Sequence, residues 1–191
     1  MEGSTLLAFK RLSPWLLGAS LACCGGAPAR STAPLRPEQA SLFENGIDWI
    51  TAPTALQGQW KTEWYNELDQ RVQHADVIAD CKIRTLRTDI DHDQRVVHRM
   101  SIRLSKVYQG EVDADDLELA VSDHQAGFPS VDQGKERILD RRFVAFVRWA
   151  KDTDGQVRPH YHLGAASPEV LAEVKKRVAY AQALLDDGSQ R

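Results

Sequence analysis

Two histidines separated by a single residue, His160 and His162, have the spacing in this sequence that most suggests chemistry. Residues two apart on a β-strand face the same side, so both imidazoles could bind one metal ion. His98 or His124 would then supply a third ligand. Because no Cys pair, HExxH motif or placed carboxylate completes the set, we assign no metal or other cofactor and keep His160 and His162 as candidates. The alternative is that one or both are surface histidines of a late strand.

The patterns that would indicate catalysis or calcium binding are incomplete. Residues 122–124 contain the three residue types of a hydrolase triad, but consecutive residues cannot form a triad with one another. The chain has no Gly-x-Ser-x-Gly elbow and no Gly-rich phosphate loop after a strand. Asp89, Asp91 and Asp93 resemble the start of a calcium loop, but Gln94 stands where that loop needs glycine. We therefore predict no catalytic residue and no enzyme.

The first 22 residues predict a secretory signal peptide. The cationic pair Lys10-Arg11 precedes residues 12–22, which carry no charge. A helix of that length spans about 16 Å, which is too short to cross a hydrocarbon core of about 30 Å. A charged start, a short apolar stretch and small residues before the cleavage point are typical of a signal peptide.

Residues Ser20-Leu21-Ala22-Cys23 resemble a bacterial lipobox, in which a small residue precedes a cysteine. The resemblance implies that Cys23 is lipidated on sulfur and becomes the new N-terminus. Lipoboxes prefer Leu three places before the cysteine, where this chain has Ser20. If Cys24 is the lipidated residue, Leu21 stands three places before it, as lipoboxes prefer. Cys23 then occupies the position directly before the lipidated cysteine, which is usually a small residue. We predict lipidation at Cys23, with Cys24 as the alternative; an ordinary cleaved signal is the other alternative.

Residues 23–53 are predicted to be a tether and extended lead-in. Residues 25–37 are rich in Pro, Gly and small side chains, as in an extended spacer. Residues 38–53 include Phe43 and Trp49 and are expected to lie on the domain surface. Removal of the signal makes the net charge one unit more negative than −3, which argues against a nucleic-acid partner. We expect the protein in the cell envelope, lipid-anchored at the outer membrane on its periplasmic side or at the surface.

A single globular domain is predicted over residues 54–187, in which two helices flank a barrel of residues 75–164. Apolar residues recur at steps of four: Trp60, Trp64, Leu68 and Val72. This spacing predicts a helix over 58–74 with one buried stripe, and Thr54 begins a Thr-x-x-Gln capping box before it. Ser167 is the predicted N-cap of a second helix over 168–187.

Alternating apolar and polar residues predict five antiparallel strands, at 77–86, 96–108, 117–121, 142–150 and 157–163. Cys81 falls on the apolar side of its strand and is predicted to be a buried, unreactive thiol. Residues 124–140 are predicted to be a long loop. The expected fold is therefore mainly β (α+β), a small five-stranded antiparallel barrel over 75–164 flanked by an N-terminal and a C-terminal helix.

Three short segments support a family resemblance: Ala75-Asp76-Val77-Ile78, Val107-Tyr108-Gln109-Gly110 and Arg142-Phe143-Val144-Ala145-Phe146-Val147. Residues 75–164 resemble secreted bacterial OB-fold domains, which are related to netrin-like and metalloproteinase-inhibitor barrels. The resemblance rests on these three segments and on the order of the strands. The resemblance implies an OB-like barrel, and binding or inhibition more than catalysis. Inhibitors of that type chelate the protease metal with a free N-terminal Cys. The N-terminal Cys of this chain would be acylated and distant from the barrel, so that mechanism does not carry over.

The sequence therefore predicts a membrane-tethered bacterial lipoprotein whose domain is a non-enzymatic binding module of the cell envelope. Its expected partners are the membrane, through the N-terminal lipid, and an envelope protein. One alternative is a metal-binding envelope protein or metal-dependent enzyme centred on His160 and His162. A second alternative is a protease-inhibitor-like barrel.

Replacing the predicted lipidation residue tests the anchor. Cys23→Ser should abolish lipid labelling and move the domain to the soluble fraction, because the thiol is the acylated group. Labelling with a fatty-acid analogue and fractionation of membranes measure both effects, with Cys24→Ser as the matched control. Labelling that survives Cys23→Ser but not Cys24→Ser would move the site by one residue, and labelling that survives both would reject the anchor.

Overall fold

The computed structural model describes residues 33–188; the predicted signal peptide, Cys23 and Cys24 lie outside the described residues. The helices are α1 (Pro37–Ala40), α2 (Gly58–His74), α3 (Phe128–Asp132) and α4 (Pro168–Gly188), with a 3₁₀ turn at Pro53–Ala55. The strands are β1 (Gly46–Asp48), β2 (Val77–Ile90), β3 (Val96–Gln109), β4 (Asp116–Ser122), β5 (Arg142–Lys151) and β6 (Val157–Ala165).

All six strands belong to one sheet, in the order β1-β6-β5-β2-β3-β4. β1 runs parallel to β6, and every other pair of neighbours is antiparallel. The sheet curls into a half-barrel. Because of this curl, apolar side chains on its concave face meet one another without a second sheet to cover them.

The concave face encloses one of two hydrophobic cores. Successive residues of a strand point to opposite faces, and the predicted apolar side of β2 does face this core. α3 covers part of it through Val131, which is fully buried. The core contains Ile47, Val77, Ala79, Cys81, Ile83, Met100, Ile102, Leu104, Leu119, Val121, Val131, Ile138, Phe143, Ala145, Val147, Trp149, Tyr161 and Leu163.

The convex face is covered by α2 and α4. Both helices present an apolar stripe to the sheet, as their 3.6-residue periodicity predicts. The second core contains Leu42, Phe43, Trp64, Leu68, Val72, Ala75, Ile78, Val144, Phe146, Val170, Val174 and Val178. The central strands are therefore buried on both faces. The predicted arrangement of a mainly β domain between an N-terminal and a C-terminal helix is confirmed.

β1 is a sixth strand that the sequence pattern did not predict. Residues 38–53 were expected on the domain surface, yet Phe43 and Ile47 are only 1% and 5% exposed. Asn45 fixes the segment against β6, because its N–H donates to the carbonyl oxygen of Tyr161 and its Oδ1 accepts the Tyr161 N–H, both at 2.9 Å. A strand of three residues is too short to give a periodic signal.

The five-stranded OB-like barrel is not confirmed. The sheet has six strands, with β1 and β4 at its two ends. β4 and β6 approach each other but form no hydrogen-bonded ladder in the described part of the chain. Whether two such strands pair depends on how far the sheet curls, which no local sequence pattern encodes.

The helix caps followed the sequence in one case and not in the other. Ser167 Oγ accepts the N–H of Val170 at 3.2 Å, which confirms the predicted cap of α4. The predicted capping box at Thr54 is wrong. The N-cap of α2 is Gln57, without a side-chain cap, and the Thr54 hydroxyl instead donates to Glu169 of α4. A contact between two distant segments has replaced the local bond.

Two further differences concern the helices. Trp64, Leu68 and Val72 are buried as expected, but Trp60, at the start of the same stripe, is 75% exposed. The predicted loop 124–140 contains the short helix α3.

Within residues 33–188, the helices lack the combination of length and apolarity that a membrane span requires.

Truncation of Phe43 tests whether the segment before α2 is part of the folded core. Phe43→Ala should lower the free energy of unfolding by about 3–5 kcal/mol, since it removes a fully buried ring. Urea denaturation of the full chain measures the change. Trp60→Ala, at an exposed aromatic, should cost less than about 0.5 kcal/mol. Equal small losses in both variants would mean that Phe43 is not packed as described.

Candidate ligand-binding cleft

A polar cleft of about 640 Å³ lies between β4 and β6. Four segments line it: Asn45 before β1, residues 91–99 of the β2–β3 loop and β3, residues 118–125 in and after β4, and residues 152–160 of the β5–β6 hairpin. Ligand pockets in proteins typically measure about 300–1,000 Å³. The cleft therefore has the size of a ligand site, and its walls come from strands and loops that the curl of the sheet brings together.

The cleft carries an excess of negative charge. Its charged and titratable residues are Asp91, Asp93, Glu118, Asp152, Asp154, Arg95, Arg99, Arg158, His92, His124 and His160. Each arginine lies within 4.0 Å of a carboxylate oxygen. Because the arginines are paired and the carboxylates outnumber them, the cleft favours cationic ligands.

Two carboxylates at the rim are held ionised by backbone N–H groups. Asp91 Oδ1 accepts two backbone N–H groups of its own loop at 2.9 Å each. These bonds, that of Arg95 foremost, lower the pKa of Asp91 below its usual 3.8. The pKa of Asp154 is lowered by the Gln156 N–H, at 3.0 Å, and by Arg158. The same bonds that shape the hairpin loops therefore keep negative charge at the rim.

His160 and His124 both line the cleft. His160 Nε2 lies 3.2 Å from Asp152 Oδ1, close enough for an ion pair but outside hydrogen-bond geometry. Burial lowers the pKa of His160, and the neighbouring Asp152 opposes that shift. Two of the histidines considered from the sequence therefore line one cleft, His160 from β6 and His124 from the loop after β4.

His162 does not line the cleft with His160. It faces the helix side of the sheet, is 5% exposed, and its ring centroid lies 6.2 Å from that of Phe146. Burial, and then the charge of Arg71, lower the pKa of His162 well below 6.5, so the imidazole is neutral. His98 faces the opposite, concave side of the sheet, among residues of the first core. These imidazoles therefore do not meet at one point.

Asp91, His92 and Asp93 are the one group of three potential metal ligands whose ligand atoms lie within 4.8 Å of one another in residues 33–188. They belong to the β2–β3 loop at the cleft rim, where Asp93 and His92 are exposed. Asp91 Oδ1 already accepts two N–H groups of this loop. The group is accounted for as a hairpin loop, in agreement with the sequence.

His98 joins a hydrogen-bonded chain that the sequence did not predict. Thr88 Oγ1 lies 2.9 Å from His98 Nδ1, and His98 Nε2 lies 3.0 Å from Asp132 Oδ1. Because a carboxylate only accepts, Nε2 is the donor to Asp132, and the Thr88 hydroxyl bonds to the other ring nitrogen. The imidazole is 1% exposed and stacks on Phe128, with ring centroids 4.7 Å apart. These hydrogen bonds fasten α3 to the sheet. Because the imidazole is buried, a substrate cannot reach it.

Buried polar residues need partners, so the position of His98 on the apolar side of β3 was a usable signal. The alternation of β3 already placed it between Val96 and Met100 on the buried side. Its partner Asp132 lies in a segment without periodicity, 34 residues away. The need for a partner was therefore readable from the sequence, but the identity of the partner was not.

Cys81 and residues 122–124 are the remaining reactive residues that the sequence singled out. Cys81 is 1% exposed, and burial raises the pKa of its thiol to about 12, which confirms an unreactive cysteine. His124 Nδ1 lies 3.0 Å from Ser122 Oγ, but Asp123 Oδ2 accepts the backbone N–H of Val96 instead of orienting the imidazole. The Asp123 carboxylate is therefore engaged with the start of β3 and does not orient His124.

No protein-family model matches the chain, and no curated protein sequence is significantly similar to it.

The buried imidazole of His162 predicts a loss of stability in acid. Below pH 6.5 the unfolded chain binds a proton at His162 while the folded protein does not, because its folded-state pKa is lowered. From about pH 7.5 to about pH 5 this should cost the folded state at most about 2 kcal/mol.

His162→Leu should remove that part of the pH dependence, because leucine does not titrate. Urea denaturation at several pH values measures it, with His92→Leu as the control, since the His92 side chain is 90% exposed. A His162→Leu variant that keeps the full pH dependence of wild type would contradict the buried, neutral assignment.

Proposed function

We propose that this chain is a membrane-tethered lipoprotein of the bacterial cell envelope. Its domain would be a non-enzymatic binding module whose ligand site is the cleft between β4 and β6. The observation that carries the proposal is the polar cavity of about 640 Å³, lined by four separate segments of the chain. Convergence of loops from different strands on one cavity is typical of binding sites held by a rigid scaffold.

We also infer that β2 to β6 form an OB-like arrangement. In support, β2, β3 and β4 are consecutive neighbours, β5 and β6 continue the sheet on the other side of β2, and α3 lies between β4 and β5. OB-folds bind ligands with the loops between strands one and two and between strands four and five. The corresponding β2–β3 and β5–β6 loops both line the cleft. This fold-level analogy supports a binding role without naming the ligand.

The excess of carboxylates favours a ligand or partner surface that presents cationic groups. An envelope protein with a basic surface segment fits this chemistry, and a nucleic acid does not, because its phosphates would be repelled. The lipid at Cys23 would hold the domain at the membrane, so encounter with the partner would occur close to the membrane surface.

The metal-binding alternative is favoured by one observation, since His160, His124 and Asp152 line the same cleft. It requires stoichiometric zinc or copper in the purified protein. That metal would be lost in the His124→Ala/His160→Ala double variant, because both imidazoles line the cleft. Metal analysis therefore separates the alternative from the binding module before any partner is known.

Charge reversal at the cleft tests the binding module. Asp93→Lys and Asp154→Lys, on the two hairpin loops, should each reduce crosslinked partner at least about tenfold, because a binding loss of 1.4 kcal/mol has that effect. Crosslinking in the native host, followed by mass spectrometry, measures the yield of each partner. Glu136→Lys, at an exposed acidic residue outside the cleft, should leave it unchanged.

The same experiment can reject the proposal. A partner captured equally by wild type and both cleft variants would place binding elsewhere on the domain. Capture of no partner, together with metal retained at one equivalent, would favour the metal alternative.

A further inference from the structure

The free strand edges that flank the cleft are not equivalent. In an antiparallel ladder, residues alternate between those whose N–H and C=O point to the neighbouring strand and those whose groups point away. A free edge with such outward groups can pair with another chain, and proteins usually cover or interrupt it. The edges of β1, β6 and β4 can be compared on this basis.

The outer edge of β1 is covered by the segment that contains α3. The N–H of Ile47 donates to Ser130 Oγ at 2.8 Å, and the N–H of Gly127 donates to the carbonyl oxygen of Glu44 at 3.0 Å. Gly127 is required for this approach, since a Cβ there would lie 2.4 Å from the backbone of Asn45. An incoming strand has no access to β1.

The free part of β6 is interrupted by proline. The backbone groups of Tyr161 point away from β5, because they bond to Asn45. By alternation, those of Val157 and Pro159 point the same way. Pro159 has no N–H to donate, so this edge of the cleft is a poor template for another strand.

The middle of β4 is neither covered by another segment, as β1 is, nor interrupted by proline, as β6 is. The N–H of Leu104 donates to the Asp115 carbonyl, and the N–H of Asp123 donates to the Val96 carbonyl. These two bonds set the alternation, so residues 117, 119 and 121 point to β3 and residues 116, 118 and 120 point outward. In the described part of the chain, no backbone partner bonds to the outward groups of Glu118 and Ala120.

We propose that β4 binds an extended, basic segment of a partner protein by strand addition at Glu118 and Ala120. The inference rests on the proposed binding function of the cleft and names the kind of partner. Glu118 is 62% exposed and lies 3.9 Å from its nearest cation, Arg87, so its carboxylate can accept a second positive charge. Strand addition supplies affinity through backbone hydrogen bonds and specificity through alternate side chains.

The side chains of β4 define the sequence of the segment. Leu119 and Val121 are fully buried on the concave face, while Glu118 lies on the outer face and lines the cleft. Opposite-charge pairs across strands are favourable, and apolar residues pack beside apolar neighbours. The fitting segment therefore alternates lysine or arginine with aliphatic residues.

A synthetic peptide of alternating lysine and valine, seven residues long and blocked at both ends, is the probe. Fluorescence anisotropy with the full chain measures its affinity, and amide hydrogen exchange by NMR locates it. We expect the amides of Glu118 and Ala120 to exchange at least about tenfold more slowly with peptide, since they become hydrogen-bonded. The amides of Leu117, Leu119 and Val121 should not change, because they already bond to β3.

Two control peptides separate charge from backbone pairing. A glutamate–valine peptide should bind at least about tenfold more weakly, because it meets the carboxylates of the cleft. A lysine–valine peptide that is N-methylated at alternate amides keeps its charge but loses donors, and should also bind weakly. Glu118→Lys should weaken the lysine–valine peptide by a similar factor, whereas Glu136→Lys should not.

Binding without protection at Glu118 and Ala120, equal binding of the N-methylated peptide, or no binding at millimolar peptide would each overturn the proposal. The exchange pattern of the wild-type protein decides the question even if Glu118→Lys fails to fold. If strand addition fails while Asp93→Lys and Asp154→Lys still reduce partner capture, the cleft binds a folded surface and the proposed function stands. If both fail, neither proposal survives.

Discussion

The curl of the sheet decides how this domain buries its apolar residues. α2 and α4 cover the convex face, and within residues 33–188 all strands belong to one sheet, so no second sheet covers the concave face. The concave face must therefore bury its apolar residues against one another. Leu119 of β4 and Tyr161 and Leu163 of β6 are all 0% exposed in the same core, although three strands separate β4 from β6 in the sheet. Only a strongly curled sheet brings these residues together.

Two short segments complete the curl. β1 extends the sheet beside β6. Just before β1, Asn45 bonds to the N–H and the carbonyl oxygen of Tyr161, which have no strand partner there. α3 then covers β1 and is held to β3 by His98 and Asp132, 3.0 Å apart. These contacts involve buried polar groups whose loss would leave unpaired donors and acceptors in the core. The polar residues of the interior therefore fix the position of the segments that lack extensive apolar faces.

The cleft is a consequence of a curl that stops short of closure. Because β4 and β6 approach without a ladder, the hairpin loops at their ends face each other across a cavity lined by carboxylates. Closure by direct pairing would have consumed the outward groups of Glu118 and Ala120. A free strand edge beside this cavity can pair with another chain, which proteins usually prevent. Pro159 on one side and Glu118 on the other limit what can add there, which links the geometry to the choice of ligand.

Most of the elements are encoded locally by periodicity, so α2, α4, β2, β3, β4, β5 and β6 lie where alternation and helical spacing indicated. The same alternation correctly indicated the buried thiol of Cys81. The other features required long-range contacts. β1 is too short for a pattern, Thr54 exchanged a local cap for Glu169, and His160 and His162 were separated into the cleft and the second core. Each of these depends on contacts between segments distant in the chain, and such contacts leave no local signal in the sequence.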